Sequence, residues 1–529
     1  MASSCSSSVP PPCLPPAVTD PRLLDNFTRR FNTATSQALT ASEPHPVNSD
    51  LTLGDKCGSY SKGIKQAGHC KVDLAAFAKF QNAISTGKFS DFELVPKGGA
   101  AKQNGPMGAY ARVLCGADSS AFGTPSVAAP PAVSSPQYAT ELVELYWCSL
   151  LRDVAFADYL NSSLARDAAD ELTAAPQYLG PKDGTGRVTA ELLFRGNFPG
   201  ETVGPHLSQL LLTPTNFGAA PLDQRYITYR AGIDYMTDPQ SWFLVQQGGA
   251  SGFTNQPESI PRYLHNGRGL AAWTHVDELY QAYFTAYLVL QSLGVAANPT
   301  GPYATAQVQK PFGTFGGPDI ASVLAEVAKC ALNAVWYQKW VVHLRHRPEA
   351  GAGLVHFINE GDSFDAMPDA FVFNSNALQA SFSKYKSYLL SQPFPEGSPT
   401  HPAYPTGHGT VAGACITALK FFYDADHYVF GHPVMPGYDG TSLLPWSGQP
   451  GTGAAGALTL NGELHKLAHN ISFGHGIHGG IHWRSDTDSS IMLGEAVALR
   501  FLKDLACTYK EPVSVTFTKI DGTSVTISN

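Results

Sequence analysis

The chain has 529 residues, with 35 Lys+Arg against 43 Asp+Glu for a formal charge of −8, and 43% hydrophobic against 15% charged residues. That balance suits a globular protein with a sizeable core and excludes a disordered chain; without a run of like charge, neither nucleic acid nor an anionic membrane is the expected partner. No apolar stretch reads as a membrane span, so a soluble protein is expected.

Residues 1 to about 50 read as a polar, Pro-rich, flexible arm ahead of one mainly helical domain over 51–529. The first twelve residues are Ser- and Pro-rich without an apolar core, which favours a cytoplasmic or organellar protein over a secreted one. Nine cysteines are scattered with no C-x-x-C pair and read mostly as buried thiols, although Cys57 and Cys70 could bridge a short loop. A helical period covers 136–160. Leu270, Trp273, Val276, Tyr280, Tyr283, Tyr287 and Leu290, at spacings of three and four, predict one apolar helix face that Gly294 ends. A long helix is predicted over about 320–345, stopping before Pro348. A loop to about Ser375 and a helix to Leu390 follow, then a loop to Pro405 and an Ala/Gly-rich helix through Phe422. Helices over 460–473 and 487–506 and a strand-like tail over 513–527 close the chain. With no βαβ rhythm and long Gly/Pro-rich loops, the class is mainly α: a helical bundle with little β.

Three segments carry chemistry. In the first, Lys339, His343 and Arg347 are spaced i, i+4, i+8, which on a continuous helix makes one cationic stripe. A lysine point charge with an arginine fork grips a tetrahedral oxyanion, though a solvated helix end is the plainer explanation. In the second, Pro405 and Thr406 stand at the mouth of a helix whose first turn is Thr-Gly-His. Its free N–H groups and dipole favour an anion, Gly407 admits close approach, and Thr406 adds a hydroxyl; an ordinary Thr cap is the alternative. Small residues Gly409, Ala412, Gly413 and Ala414 would let this helix pack tightly. In the third, His482 and Asp486 are i, i+4, so the carboxylate can hold one ring nitrogen and leave the other as nucleophile or ligand. A zinc triad of His475, His478 and His482 competes with this, but Gly476, Gly479 and Gly480 make the rigid helix it needs doubtful.

In this order, Lys-x7-Arg-Pro, Pro-Thr-Gly-His and Gly-x-His-x3-Asp resemble the vanadium-dependent haloperoxidases, above all the red-algal and cyanobacterial bromoperoxidases. Leu193-Phe-Arg-Gly-Asn-Phe-Pro-Gly, Thr274-His-Val-Asp-Glu-Leu-Tyr-Gln and Gly462-Glu-Leu-His-Lys-Leu-Ala extend the likeness from about residue 135 to the C-terminus, with the vanadate half at about 318–510. The resemblance implies a helical bundle shared with the acid phosphatases, with vanadate as cofactor bonded to His482. It gives Lys339, Arg347, Thr406, Gly407 and His408 the remaining oxygens, with His408 as acid–base. His401 and Trp336 would form the halide pocket, and Asp486 would stand behind His482. The implied reaction oxidises halide, bromide foremost, with hydrogen peroxide to a hypohalous acid that halogenates an organic acceptor. A homo-oligomer of at least two chains is expected.

The family's second arginine, six residues before the axial histidine, is missing. Counting back from His482 gives Gly476, whereas alignment through Ser-Phe-Gly with one inserted residue gives His475. A protonated His475, or Arg484, could partly replace the lost charge. Trp336 stands where the red-algal branch has arginine. The run 298–312 has no carboxylate, so the structural calcium of red-algal relatives is not expected. Two other functions stay open: a phosphatase with His482 as nucleophile, and a non-catalytic relative with a degraded site.

Overall fold

The computed structural model describes residues 20–39, 43–112, 125–448 and 456–529. Among the described residues helices dominate, and the four sheets are all two-stranded antiparallel pairs, the largest being the C-terminal hairpin of Ser514–Thr518 and Ser524–Ser528. The helix Gly407–Phe422 is the hub: every residue in it except His408 is buried. It packs against helices Arg484–Ala506, Gly317–Tyr337 and Leu460–Phe473. A Cβ on Gly413 would lie 1.9 Å from the Ile491 carbonyl oxygen, and one on Gly494 2.0 Å from that of Thr410. The first two helices therefore meet backbone to backbone, and a side chain at either glycine would force them apart.

Several predicted elements differ from the observed ones, and the 136–160 period is an α-helix only over Pro136–Leu151. The 270–290 face belongs to two helices, Gly267–Val276 and Gln281–Ser292, because Asp277 leaves the first with extended backbone (ψ 150°). A helix at Pro348–Asn359 replaces part of the predicted loop. Pro348 starts it, and its glycines, poor helix formers, are needed for packing: a Cβ on Gly351 would sit 2.4 Å from the Tyr138 hydroxyl. The helix from Asn376 stops at Tyr385, not Leu390, as Lys386 turns left-handed.

The Gly317–Tyr337 helix continues through a π-helical turn, Gln338–His343. Contrary to the sequence expectation, this span is long and apolar enough to cross a bilayer by length and composition. Here it is a core helix, burying Ile320, Val323, Leu324 and Val327. Tyr60, Phe77 and Phe80 from the N-terminal third cover Trp340 at its end. Ahead of that third, Pro21–Leu39 is helical with no buried residue. Cys57 and Cys70 are unbridged thiols, while Cys5, Cys13 and Cys115 lie outside the described residues.

Candidate active site

The helix end that carries Lys339 is not a straight stripe. After the π-helical turn, Leu344 adopts φ 45°, and Arg347 becomes the N-cap of the next helix. The reversal sends His343 away, its ring edge-on to Tyr404 with centroids 4.8 Å apart. Lys339 and Arg347 still converge, because each reaches the chain around residues 401–403. Lys339 Nζ donates to the carbonyls of Pro402 (2.9 Å) and Ala403 (2.7 Å). Arg347 Nε donates to the His401 carbonyl at 3.0 Å, and Nη2 stands 3.0 Å from His401 Nδ1. Both cations are fully buried, and neither pairs with a carboxylate among the described residues. Burial and the neighbouring guanidinium hold the Lys339 ammonium well below the usual lysine range; burial brings Arg347 down to about 10.

Thr406 caps the hub helix through its backbone, accepting no N–H with its side chain. Its hydroxyl is buried with no partner among the described residues. That leaves the hydroxyl free to bond a ligand atom. Beside it, His408 Nε2 lies 2.9 Å from an Asp277 carboxylate oxygen. The carboxylate accepts, so Nε2 carries the proton and Nδ1 is the basic nitrogen. This pairing explains why Asp277 leaves its helix.

Opposite, His482 Nδ1 lies 2.9 Å from Asp486 Oδ2, and its Nε2 2.8 Å from Arg347 Nη1. Arginine can only donate, so Nε2 holds the lone pair and Nδ1–H donates to Asp486. Asp486 is held in turn by the Trp483 N–H at 3.1 Å and Arg345 Nη1 at 2.7 Å. Burial, with Arg347 and Lys339 nearby, keeps His482 and His401 well below the usual histidine range, hence neutral.

His475 sits in a second π-helical turn, Gly474–His478. Its ring stacks on His408 at 4.0 Å and lies 5.8 Å from that of His482, with Nδ1 buried and unpartnered among the described residues. Burial, with His408 and His482 beside it, keeps it neutral. In the fold as it stands, His475 is therefore not a charged substitute for the arginine. Nor is Arg484, which is committed to Glu144 through bonds of 2.9 and 2.5 Å. The zinc triad does not form either: His478 turns to Cys148, its Nδ1 3.1 Å from the thiol sulfur.

A family model described as the VCPO second helical-bundle domain matches residues 321–509. A vanadium-dependent bromoperoxidase of Ascophyllum nodosum is 31% identical over 492 residues, 88% of this chain and 86% of that protein. One of Corallina officinalis is 33% identical over 464 residues, 76% of each. The chain belongs to the vanadium-dependent bromoperoxidase family. The solved homohexameric second vanadate-dependent bromoperoxidase of Ascophyllum nodosum superposes with a TM-score of 0.89 at 27% identity, over 96% of this chain and 90% of that one.

Of the residues singled out in the sequence, Lys339, Arg347, His401, Thr406, Gly407, His408, His475, His482 and Asp486 surround one locus. Trp336 joins them half-buried: its ring lies 4.9 Å from His401, and a Cβ on Gly407 would meet it at 3.2 Å. The sequence reading missed Asp277 and Arg345. Asp277 stood within the family-like run from Thr274, but the apolar period passed straight over it.

Proposed function

We propose that this chain is a peroxide-dependent halide oxidase that holds vanadate at the convergence of Lys339, Arg347, Thr406, Gly407 and His482. The observation that carries the reading is the pair of buried cations without a carboxylate, facing an unpartnered hydroxyl and a neutral imidazole lone pair. Buried unpaired charge is costly, and it is kept where an anion completes it. The donor set fits a tetrahedral or bipyramidal oxyanion. His482 Nε2 would bond the vanadate once Arg347 Nη1 releases it. Lys339, the Arg347 fork, the Thr406 hydroxyl and the N–H at the start of the hub helix would hold the oxygens. His475 would add a neutral contact where relatives place a charge. Bound vanadate supplies the Lewis acid that activates hydrogen peroxide toward halide.

Oxidising a halide with hydrogen peroxide to hypohalous acid and water consumes one proton. His408 Nδ1 would pass it, with Asp277 fixing the tautomer. Bromide is the favoured halide, iodide and chloride following, and His401 and Trp336 wall its pocket. A small organic molecule would accept the halogen. We also infer a homo-oligomer, supported by the homohexameric relative and by the Pro21–Leu39 helix, which exposes Leu23, Phe31 and Leu39.

One assay tests this: bromination of a phenolic dye with peroxide, with and without added vanadate, beside hydrolysis of an aryl phosphate. Vanadate-dependent bromination is expected. Phosphate hydrolysis without bromination would replace the reading with a phosphatase that uses His482 as nucleophile.

A further inference from the structure

The two walls of the halide pocket come from distant parts of the chain, Trp336 from the lysine helix and His401 from the loop before the hub helix. A third segment, residues 102–108, touches both. The Asn104 N–H donates to the Thr400 carbonyl at 2.8 Å, and the Thr400 hydroxyl donates back to the Lys102 carbonyl at 2.5 Å. This locks the strap to the residue next to His401. Three residues on, the Gly105 carbonyl accepts the Trp336 indole N–H at 3.0 Å. The strap is itself anchored: Gln103 Nε2 donates to the Lys62 carbonyl at 3.0 Å, and Gln103 Oε1 accepts from the Tyr60 hydroxyl at 2.8 Å.

The indole has no slack. A Cβ on Gly108 would lie 3.0 Å from its Cδ1, and one on Gly407 3.2 Å from its Cζ3. Gly105 turns with φ 61°, a conformation that favours glycine. A ring wedged between two glycines and pinned at its N–H keeps a fixed offset from the His401 ring, 4.9 Å, and from Lys339 Nζ, 5.9 Å.

The geometry points to residues 102–108 as the specificity-determining strap for the halide, with Gly108 the position that sets the gap between Trp336 and His401. The inference rests on the proposed function. Chloride, bromide and iodide carry the same charge and differ in size and hydration, so a pocket separates them by wall spacing. A methyl at Gly108 crowds the indole edge and forces the ring to shift, and iodide, the largest halide, feels the changed gap most.

The test uses the full chain carrying Gly108→Ala and, separately, Thr400→Val, which removes the hydroxyl tie to the strap without touching the pocket walls. Three quantities are read: kcat/KM for each halide, vanadate affinity, and iodide quenching of the fluorescence assigned to Trp336 by difference from Trp336→Phe. The Gly108→Ala variant is expected to lower the iodide-to-chloride ratio of kcat/KM about tenfold, the scale of one methyl group in a pocket. Quenching of Trp336 should fall with it, and vanadate affinity should hold. Thr400→Val is expected to raise halide KM with kcat little changed. If both variants fold, bind vanadate like the parent and keep the halide ratios and the quenching unchanged, the inference is overturned. If the parent turns over no halide, the proposed function fails, and altered iodide quenching in Gly108→Ala would still sustain the strap's control of halide access.

Discussion

Helix Leu460–Phe473 and the π-helical turn that follows it run through two buried charged regions that obey opposite rules. Along the helix every charge has a partner: Lys466 meets Glu463 at 2.5 Å, and His469 lies between Glu201 and Asp488. Just beyond the π turn, Arg484 is clasped by Glu144. Within the turn, His475 opens the other region, where Lys339 and Arg347 rest on carbonyls and neutral imidazoles. The carboxylates behind that cage are already taken, Asp486 by Arg345 and His482 and Asp277 by His408. Lys466, Glu463 and His469 are as buried as Lys339 and Arg347, so burial does not mark the site. Charge left unmatched by the fold does, and it states the sign of what belongs there.

The contrast breaks most sharply where a matched charge loses its partner. Replacing Glu144 by Gln strands a fully buried guanidinium, and a loss of roughly 3–5 kcal/mol is expected. Chemical denaturation would measure it, and a cost below about 1 kcal/mol would mean that Arg484 finds other acceptors. Next in size is a pH effect on the matched region. Burial pulls His469 down, but Glu201 and Asp488 pull harder and raise it to about 9. A histidine raised in the fold stabilises fully below its unfolded value, about 6.5, and that stability is lost as pH rises toward 9, on the order of 3 kcal/mol. Unfolding midpoints should fall across this window in the parent and stay nearly level in His469→Gln; parallel curves would refute the assignment. The smallest change sharpens the unmatched region. Arginine at position 475 restores a charged fork beside His408 and His482, and vanadate affinity should rise about tenfold or somewhat more. A titration of the apo-protein showing no gain would mean that His475 does not face the anion.

Legibility followed locality. The hub helix was readable because its stop, start and small-residue face lie within sixteen residues, and the His482–Asp486 pair because it spans one turn. The cationic stripe was misread in shape although its end members were right, since a π turn and a left-handed Leu344 leave little trace in periodicity. Asp277 was hidden because the break it sits in keeps the apolar spacing on both sides. Whether His475 or Gly476 stands at the lost arginine was undecidable from spacing alone. The strap on Trp336 lies more than two hundred residues from its target, beyond the reach of local pattern.

The most direct test of the unmatched-charge account is isothermal titration of vanadate into the apo-protein and into Lys339→Met, with unfolding midpoints taken for both without anion. Methionine keeps the length of the side chain and removes its charge. The account predicts that affinity falls by about a hundredfold, as befits the loss of a charged bond to an anion, while the anion-free variant unfolds at a temperature no lower than the parent. Affinity unchanged, or a variant distinctly less stable than its parent, would show that Lys339 belongs to the packing of the fold and not to the binding of an oxyanion.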